Sequence, residues 1–95
     1  HVGHDTQIGE NCLFAAQVGI AGCVIIEDEV TLWGQVGIPS DRKLSKGTVV
    51  LGQSGILADT EPGKTYFGSP AVEARAKWKE LAALRQLPDL IQKLK

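Results

Sequence analysis

Counted in sixes from Val2, the chain carries a large apolar residue at every register as far as Ile56: Val2, Ile8, Phe14, Ile20, Ile26, Leu32, Ile38, Leu44, Val50 and Ile56. Four places further along each register stand Thr6, Cys12, Val18, Val24, Val30, Val36, Arg42, Thr48, Ser54 and Thr60, all small or β-branched except Arg42. A helix repeats about every 3.6 residues and a simple strand every two, so neither explains a period of six. A parallel β-helix does. Each hexapeptide is one short strand plus a turn, and three of them close a triangular coil. The large aliphatic fills the middle of each wall, and the small residue sits inward near the corner. An eighteen-residue echo supports this: Gln17-Val18-Gly19-Ile20, Gln35-Val36-Gly37-Ile38 and Gln53-Ser54-Gly55-Ile56 superimpose one coil apart. Ile20, Ile38 and Ile56 are then expected to stack at a strand spacing of about 4.8 Å. No coil buries its apolar ring alone, so stability must come from stacking. The expected fold class is an all-β solenoid, a left-handed parallel β-helix of hexapeptide repeats, followed by a short C-terminal α-helical tail.

The period fails after Ile56. The solenoid is expected over residues 1–61 and a connecting loop over 62–70, because Asp59-Thr60-Glu61-Pro62-Gly63-Lys64 has turn chemistry. Helices are expected over 71–95. The first runs from Ala71 to about Gln86, with Ala74, Trp78, Leu81 and Leu84 on one apolar stripe. Pro88 disfavours helical geometry at Leu87 and should break or kink it there, leaving Leu90, Ile91 and Leu94 on a second short helix. Neither helix is long enough to be stable without packing on something else. Arg42, in an inward slot, would cost several kcal/mol if buried unpaired, which predicts a local bulge or outward turn at Pro39-Ser40-Asp41-Arg42-Lys43. Arg42 and Lys43 suggest either recognition of phosphate or sugar, or a tolerated irregular corner.

At 95 residues the chain is one domain or part of one. His1 already falls inside a plausible earlier register, so further coils are expected upstream. No run approaches the roughly 20 apolar residues of a membrane span. Cys12 and Cys23 have the spacing of no metal knuckle or redox pair, which suggests core thiols and a cytoplasmic location. Residues 1–72 carry a net charge of −4 and residues 73–95 a net charge of +3. A basic tail on an acidic body suits an acidic protein partner, an anionic surface, or simply a solvated helix face.

His1 and His4 are the only histidines, and histidine is the side chain best suited to shuttle protons near neutrality. His4 holds the third place of its hexapeptide, where a side chain should leave the coil near a corner. Gly22 follows it by one coil, and its backbone N–H is open to close approach because no side chain shields it. A base with a bare N–H beside it is what acyl transfer needs: the base takes the nucleophile's proton, and the N–H stabilises the oxyanion.

The segment Val2-Gly3-His4-Asp5-Thr6-Gln7-Ile8-Gly9-Glu10-Asn11, the block Gln17-Val18-Gly19-Ile20-Ala21-Gly22, Gly68-Ser69-Pro70-Ala71 and the tail with Trp78 and Leu87-Pro88 resemble one family. It is the UDP-3-O-acylglucosamine N-acyltransferases of lipid A biosynthesis, within the hexapeptide acyltransferase superfamily. The resemblance implies a cytoplasmic homotrimer with sites in the clefts between solenoids. Such an enzyme moves a 3-hydroxyacyl chain from acyl carrier protein to the 2-amine of a UDP-3-O-acylglucosamine. It implies His4 as general base and the Gly22 N–H as oxyanion donor, and a basic tail that suits the acidic carrier protein. Asp41 falls where a second, substrate-contacting histidine often stands, and Asp5 where the family usually has Asn. Ile20, Leu51 and Leu57 are candidates for an apolar acyl groove, and Trp33 for an outward intersubunit contact. No cofactor, metal, nucleic acid or transmembrane segment is expected. Three alternatives remain: an acetyl-CoA-dependent amino-sugar acetyltransferase of the same fold, a non-catalytic trimerising fragment, and a zinc hydratase. The last needs three converging histidines, and this chain has two.

Overall fold

The computed structural model describes all 95 residues as a rod of 56 × 21 × 21 Å. Eight two-residue strands follow one another at the six-residue period: β1 (Gln7–Ile8), β2 (Leu13–Phe14), β3 (Gly19–Ile20), β4 (Ile25–Ile26), β5 (Thr31–Leu32), β6 (Gly37–Ile38), β7 (Lys43–Leu44) and β8 (Val49–Val50). The first five each pair in parallel with the strand three further on, so that Ile8, Ile26 and Leu44 share one column and Ile20 lies over Ile38. The solenoid read from the six-residue period is the observed architecture.

Every coil turns through three corners, and each corner needs one residue in the left-handed region. Asp5, Asn11, Gln17, Cys23, Glu29, Gln35, Asp41 and Gln53 have φ between 55° and 62°, and Gly47 fills the remaining corner with φ 75°. Only Asp and Asn among the non-glycine residues take this conformation readily. Side chains offset part of the cost. Gln53 Nε2 donates to Gln35 Oε1 at 3.0 Å, and Gln35 Nε2 donates to Gln17 Oε1 at 2.9 Å, making a ladder up one edge.

The core is a cluster of 11 apolar residues running up the axis, from Val18 and Ile20 to Val50 and Ile56. The lowest ring has no coil of this chain beneath it, leaving Val2 47 % and Ile8 43 % exposed. At the other end the inward slots turn polar, yet Thr48, Ser54 and Thr60 are buried. Thr60 Oγ1 accepts from the Ser45 N–H at 2.9 Å and bonds Thr48 Oγ1 at 2.8 Å, while Ser45 Oγ donates to the Thr60 carbonyl at 2.8 Å. Ser54 Oγ accepts from the Gly68 N–H at 3.1 Å. These hydroxyls replace partners that a further regular coil would supply.

Four expectations need correction. No bulge forms at Arg42: β7 keeps its register on β4. The departure lies one coil later, where Thr60 donates its N–H to the Lys43 carbonyl and Asp59 Oδ1 takes the Lys43 N–H at 2.9 Å. With the coil above stepped aside, the Arg42 side chain is 38 % exposed and meets Asp59 at 3.8 Å, so no charge is buried unpaired. Residues 62–70 are not only loop, since β9 (Thr65–Gly68) adds to β8 in parallel and β10 (Ala71–Glu73) folds back on β9. An uncovered β8 would present a row of open backbone groups, and β9 covers it. The tail is one continuous helix, α1 (Ala74–Leu94), capped by the Glu73 carboxylate accepting from the Arg75 and Ala76 N–H groups. Pro88 sits inside it, removing one ladder bond without ending it. Finally, Cys23 is exposed and Cys12 half-buried, so Cys23 is not a core thiol.

Beyond Leu81 every residue of α1 is exposed, including Leu84, Leu87, Leu90, Ile91 and Leu94. No helix is long and apolar enough to cross a membrane.

Thr60→Val keeps the shape of the upper end but strips an acceptor from the Ser45 N–H and a partner from Thr48. A loss of about 1–3 kcal/mol is expected, read as a lowered midpoint in urea denaturation.

Candidate functional site

His4 leaves the solenoid at the corner between the column of Val2, β3 and β6 and the sheet of β1, β4 and β7. Its side chain is 80 % exposed, as its third place in the hexapeptide predicts. The corner one coil on is Gly22-Cys23, and the two are tied by the Cys23 N–H donating to the His4 carbonyl at 2.9 Å. A Cβ placed on Gly22 would fall 2.7 Å from His4 Nε2 and 2.9 Å from Cε1, so the imidazole lies directly against the bare Cα. The other ring nitrogen, Nδ1, is 3.2 Å from Asp5 Oδ2. With Nδ1–H donated to Asp5, Nε2 keeps its lone pair on the side facing Gly22.

The Gly22 N–H has no acceptor in the chain. The Ala21 N–H is taken by the Ile38 carbonyl at 3.0 Å and the Cys23 N–H by His4, leaving the one between them free. The same place of two other hexapeptides indicates what such an N–H donates to. The Glu10 N–H donates to Asp28 Oδ1 at 2.8 Å, and the Lys46 N–H donates to Glu27 Oε1 at 3.0 Å. At both of these corners a third-place N–H binds a carboxylate oxygen from a neighbouring coil.

The remaining candidates divide. Asp41 continues the corner column of Asp5 and Cys23, one coil further up, and is exposed. Arg42 and Lys43 are engaged by Asp59 and Glu27, the latter at 3.5 Å, which accounts for both cations without a phosphate. Ile20 is 1 % exposed and belongs to the core, so it shows only a sliver of surface to the depression that it helps to line. What lies beside the corner is a shallow depression of about 590 Å³, formed by His1, Gly19, Ala21, Gly37, Pro39 and the backs of Ile20, Ile38 and Ile56. Leu57 is 66 % exposed and follows Ala21 and Pro39 at the coil period. Trp33 is 46 % exposed on another part of the solenoid and projects outward as expected. Sequence reading missed the free thiol of Cys23 beside His4. Its signal was the eighteen-residue offset between Asp5 and Cys23, which puts both at one corner.

The fold and this corner define a class. Residues 5–40 match the family model described as bacterial transferase hexapeptide (six repeats), so this stretch carries the repeat of the hexapeptide transferases. Within that class it is similar to the UDP-3-O-acylglucosamine N-acyltransferases. It is 37 % identical to the one from Methylobacterium sp. (strain 4-46) over 86 residues, which is 90 % of this chain and 24 % of that protein. Identity is 33 % to the one from Methylorubrum extorquens (strain PA1), over 93 % of this chain and 25 % of that protein. It is 35 % to the one from Campylobacter lari, over 73 % of this chain and 22 % of that protein. The chain thus spans about a quarter of the length of these curated relatives.

Two glycine substitutions should separate the site from the scaffold. A Cβ on Gly22 meets only the mobile ring of His4, so Gly22→Ala should leave circular dichroism and melting unchanged. By displacing His4 it should lower by about a hundredfold any group transfer that uses this corner. A Cβ on Gly3 would lie 2.5 Å from the backbone of Ala21 and Gly22, which cannot swing away. Gly3→Ala should therefore destabilise by about 1–3 kcal/mol.

Proposed function

We propose that this chain is the catalytic part of an N-acyltransferase that moves a 3-hydroxyacyl chain from acyl carrier protein to the 2-amine of a UDP-3-O-acylglucosamine in lipid A biosynthesis. The observation that carries the reading is the pairing of His4 Nε2 with the unpartnered Gly22 N–H. A general base and an oxyanion donor stand at one exposed corner, in a chain similar to proteins named UDP-3-O-acylglucosamine N-acyltransferase. In the proposed step, the amine nitrogen attacks the thioester carbon as His4 removes its proton. The carbonyl oxygen, now anionic, accepts the Gly22 N–H. Collapse of the tetrahedral intermediate expels the carrier thiolate, which takes the proton back from His4. Asp5 holds the ring in the required tautomer and steadies the imidazolium.

Surface chemistry supports the donor and the assembly in this reading. The depression beside the corner, extended by Leu57, suits a hydrocarbon chain, and Asp41 stands at the sugar side of the same corner. Arg75, Lys77, Lys79, Arg85, Lys93 and Lys95 give α1 a positive surface that complements an acidic carrier protein. The uncovered apolar residues of α1 and the exposed Trp33 suit packing between the subunits of a homotrimer, with the site in the cleft between neighbours. The working location is the cytoplasm, where acylated carrier protein and nucleotide sugars are found.

The full-length protein should turn over with a 3-hydroxyacyl carrier protein and not with acetyl-CoA. His4→Ala should cost about 10²–10⁴ in kcat. Turnover with acetyl-CoA alone would overturn the donor assignment, and undiminished transfer by His4→Ala would overturn the base.

A further inference from the structure

We propose that His4, Asp5 and Cys23 together form a zinc-binding site. A ring nitrogen of His4, a carboxylate oxygen of Asp5 and Cys23 Sγ all lie within 4.8 Å of one another, and His4 Nδ1 and Asp5 Oδ2 are 3.2 Å apart. Tetrahedral zinc, with bonds of about 2.0–2.3 Å, sets its ligands roughly 3.3–3.6 Å apart. The three donors therefore need to close by little more than an ångström. Imidazole, carboxylate and thiolate are the donor set of zinc, whereas calcium and magnesium take oxygen alone.

The backbone favours this arrangement. The left-handed corner at Cys23, φ 59°, leaves its side chain exposed, and the Cys23 N–H donating to the His4 carbonyl locks the two corners together. All three side chains are exposed, so the ion has access, and three protein ligands leave a fourth position open. Binding replaces the thiol proton, which goes to solvent. Sequence spacing conceals the site, because two ligands are adjacent and the third lies a full coil away.

Zinc held here engages or crowds the imidazole that the proposed reaction uses as base, so the ion acts as an inhibitor. That consequence rests on the reading of His4 as base; the binding itself does not. The test is titration of the reduced full-length protein with Co(II), then Zn(II), reading the thiolate-to-cobalt charge-transfer band. One equivalent of cobalt should raise the band and zinc should abolish it. Cys23→Asn, which suits a left-handed corner, should remove the band, and Cys12→Ser should keep it. Asp5→Asn should weaken zinc binding by at least about tenfold. No band in the parent protein, or a band that survives Cys23→Asn, overturns the site. Zinc that binds at this corner without inhibiting transfer upholds the site and overturns His4 as the base.

Discussion

The ladder of backbone hydrogen bonds between successive coils is the constraint on which the rest of this molecule depends. It runs from Gln7 to Val24, from Ile25 to Arg42 and around every wall, and it holds only while each coil has eighteen residues. Eighteen residues in three walls leave four residues for each corner between two-residue strands. A chain can turn that tightly only by entering the left-handed region once per corner. Hence a run of non-glycine residues near φ 60°, including Glu29 and three glutamines, that would individually be unfavourable. Burial of Ile26, Leu32, Leu44 and Val50, each at 2 % exposure or less, is what offsets them. The ladder also delivers the site, because stacking at a fixed offset is what lays the His4 ring on Gly22.

Much of this was legible in the sequence because the physics of the regular coils is local and periodic. The register of large aliphatics gave the walls, and the third-place rule aimed His4 outward. The parts that were not legible lie where the period stops. Tyr66 pairs with Val50 at an offset of sixteen residues, so a count in sixes or eighteens cannot see β9. Arg42 illustrates a different failure. A bulge was expected because an inward arginine needs an exit, but the exit comes from the coil above, which the hexapeptide containing Arg42 does not encode. Pro88 shows the limit of a local rule, since one missing hydrogen bond in a helix of 21 residues leaves the remaining bonds to carry it.

The inward small-residue slots carried more information than their size. Val18, Val24, Val30 and Val36 occupy the middle coils, where a neighbour above and below satisfies the backbone. Thr48, Ser54 and Thr60 occupy the last coil, where it does not. Side-chain hydroxyls there accept the Ser45 and Gly68 N–H groups. Leaving a buried donor unpaired costs more than a normal hydrogen bond contributes, so a hydroxyl outperforms an isosteric methyl only at an end. The change from valine to threonine and serine therefore marks the end of the solenoid.

The same reasoning separates what the fold needs at the His4 corner from what chemistry needs. Gly34 and Gly52 hold the same place of their hexapeptides as Gly22, and a Cβ on either would meet only a carbonyl oxygen at 3.5 Å, an ordinary contact. None of the three has the positive φ that would demand glycine. A third-place side chain is thus acceptable to the scaffold, as Ala16, Asp28 and Ser40 also show. Of these three glycines, only at Gly22 does an added carbon collide, and what it strikes is the exposed imidazole of His4. Neither turn geometry nor core packing accounts for glycine there. What glycine does there is leave room for the His4 ring beside a free N–H.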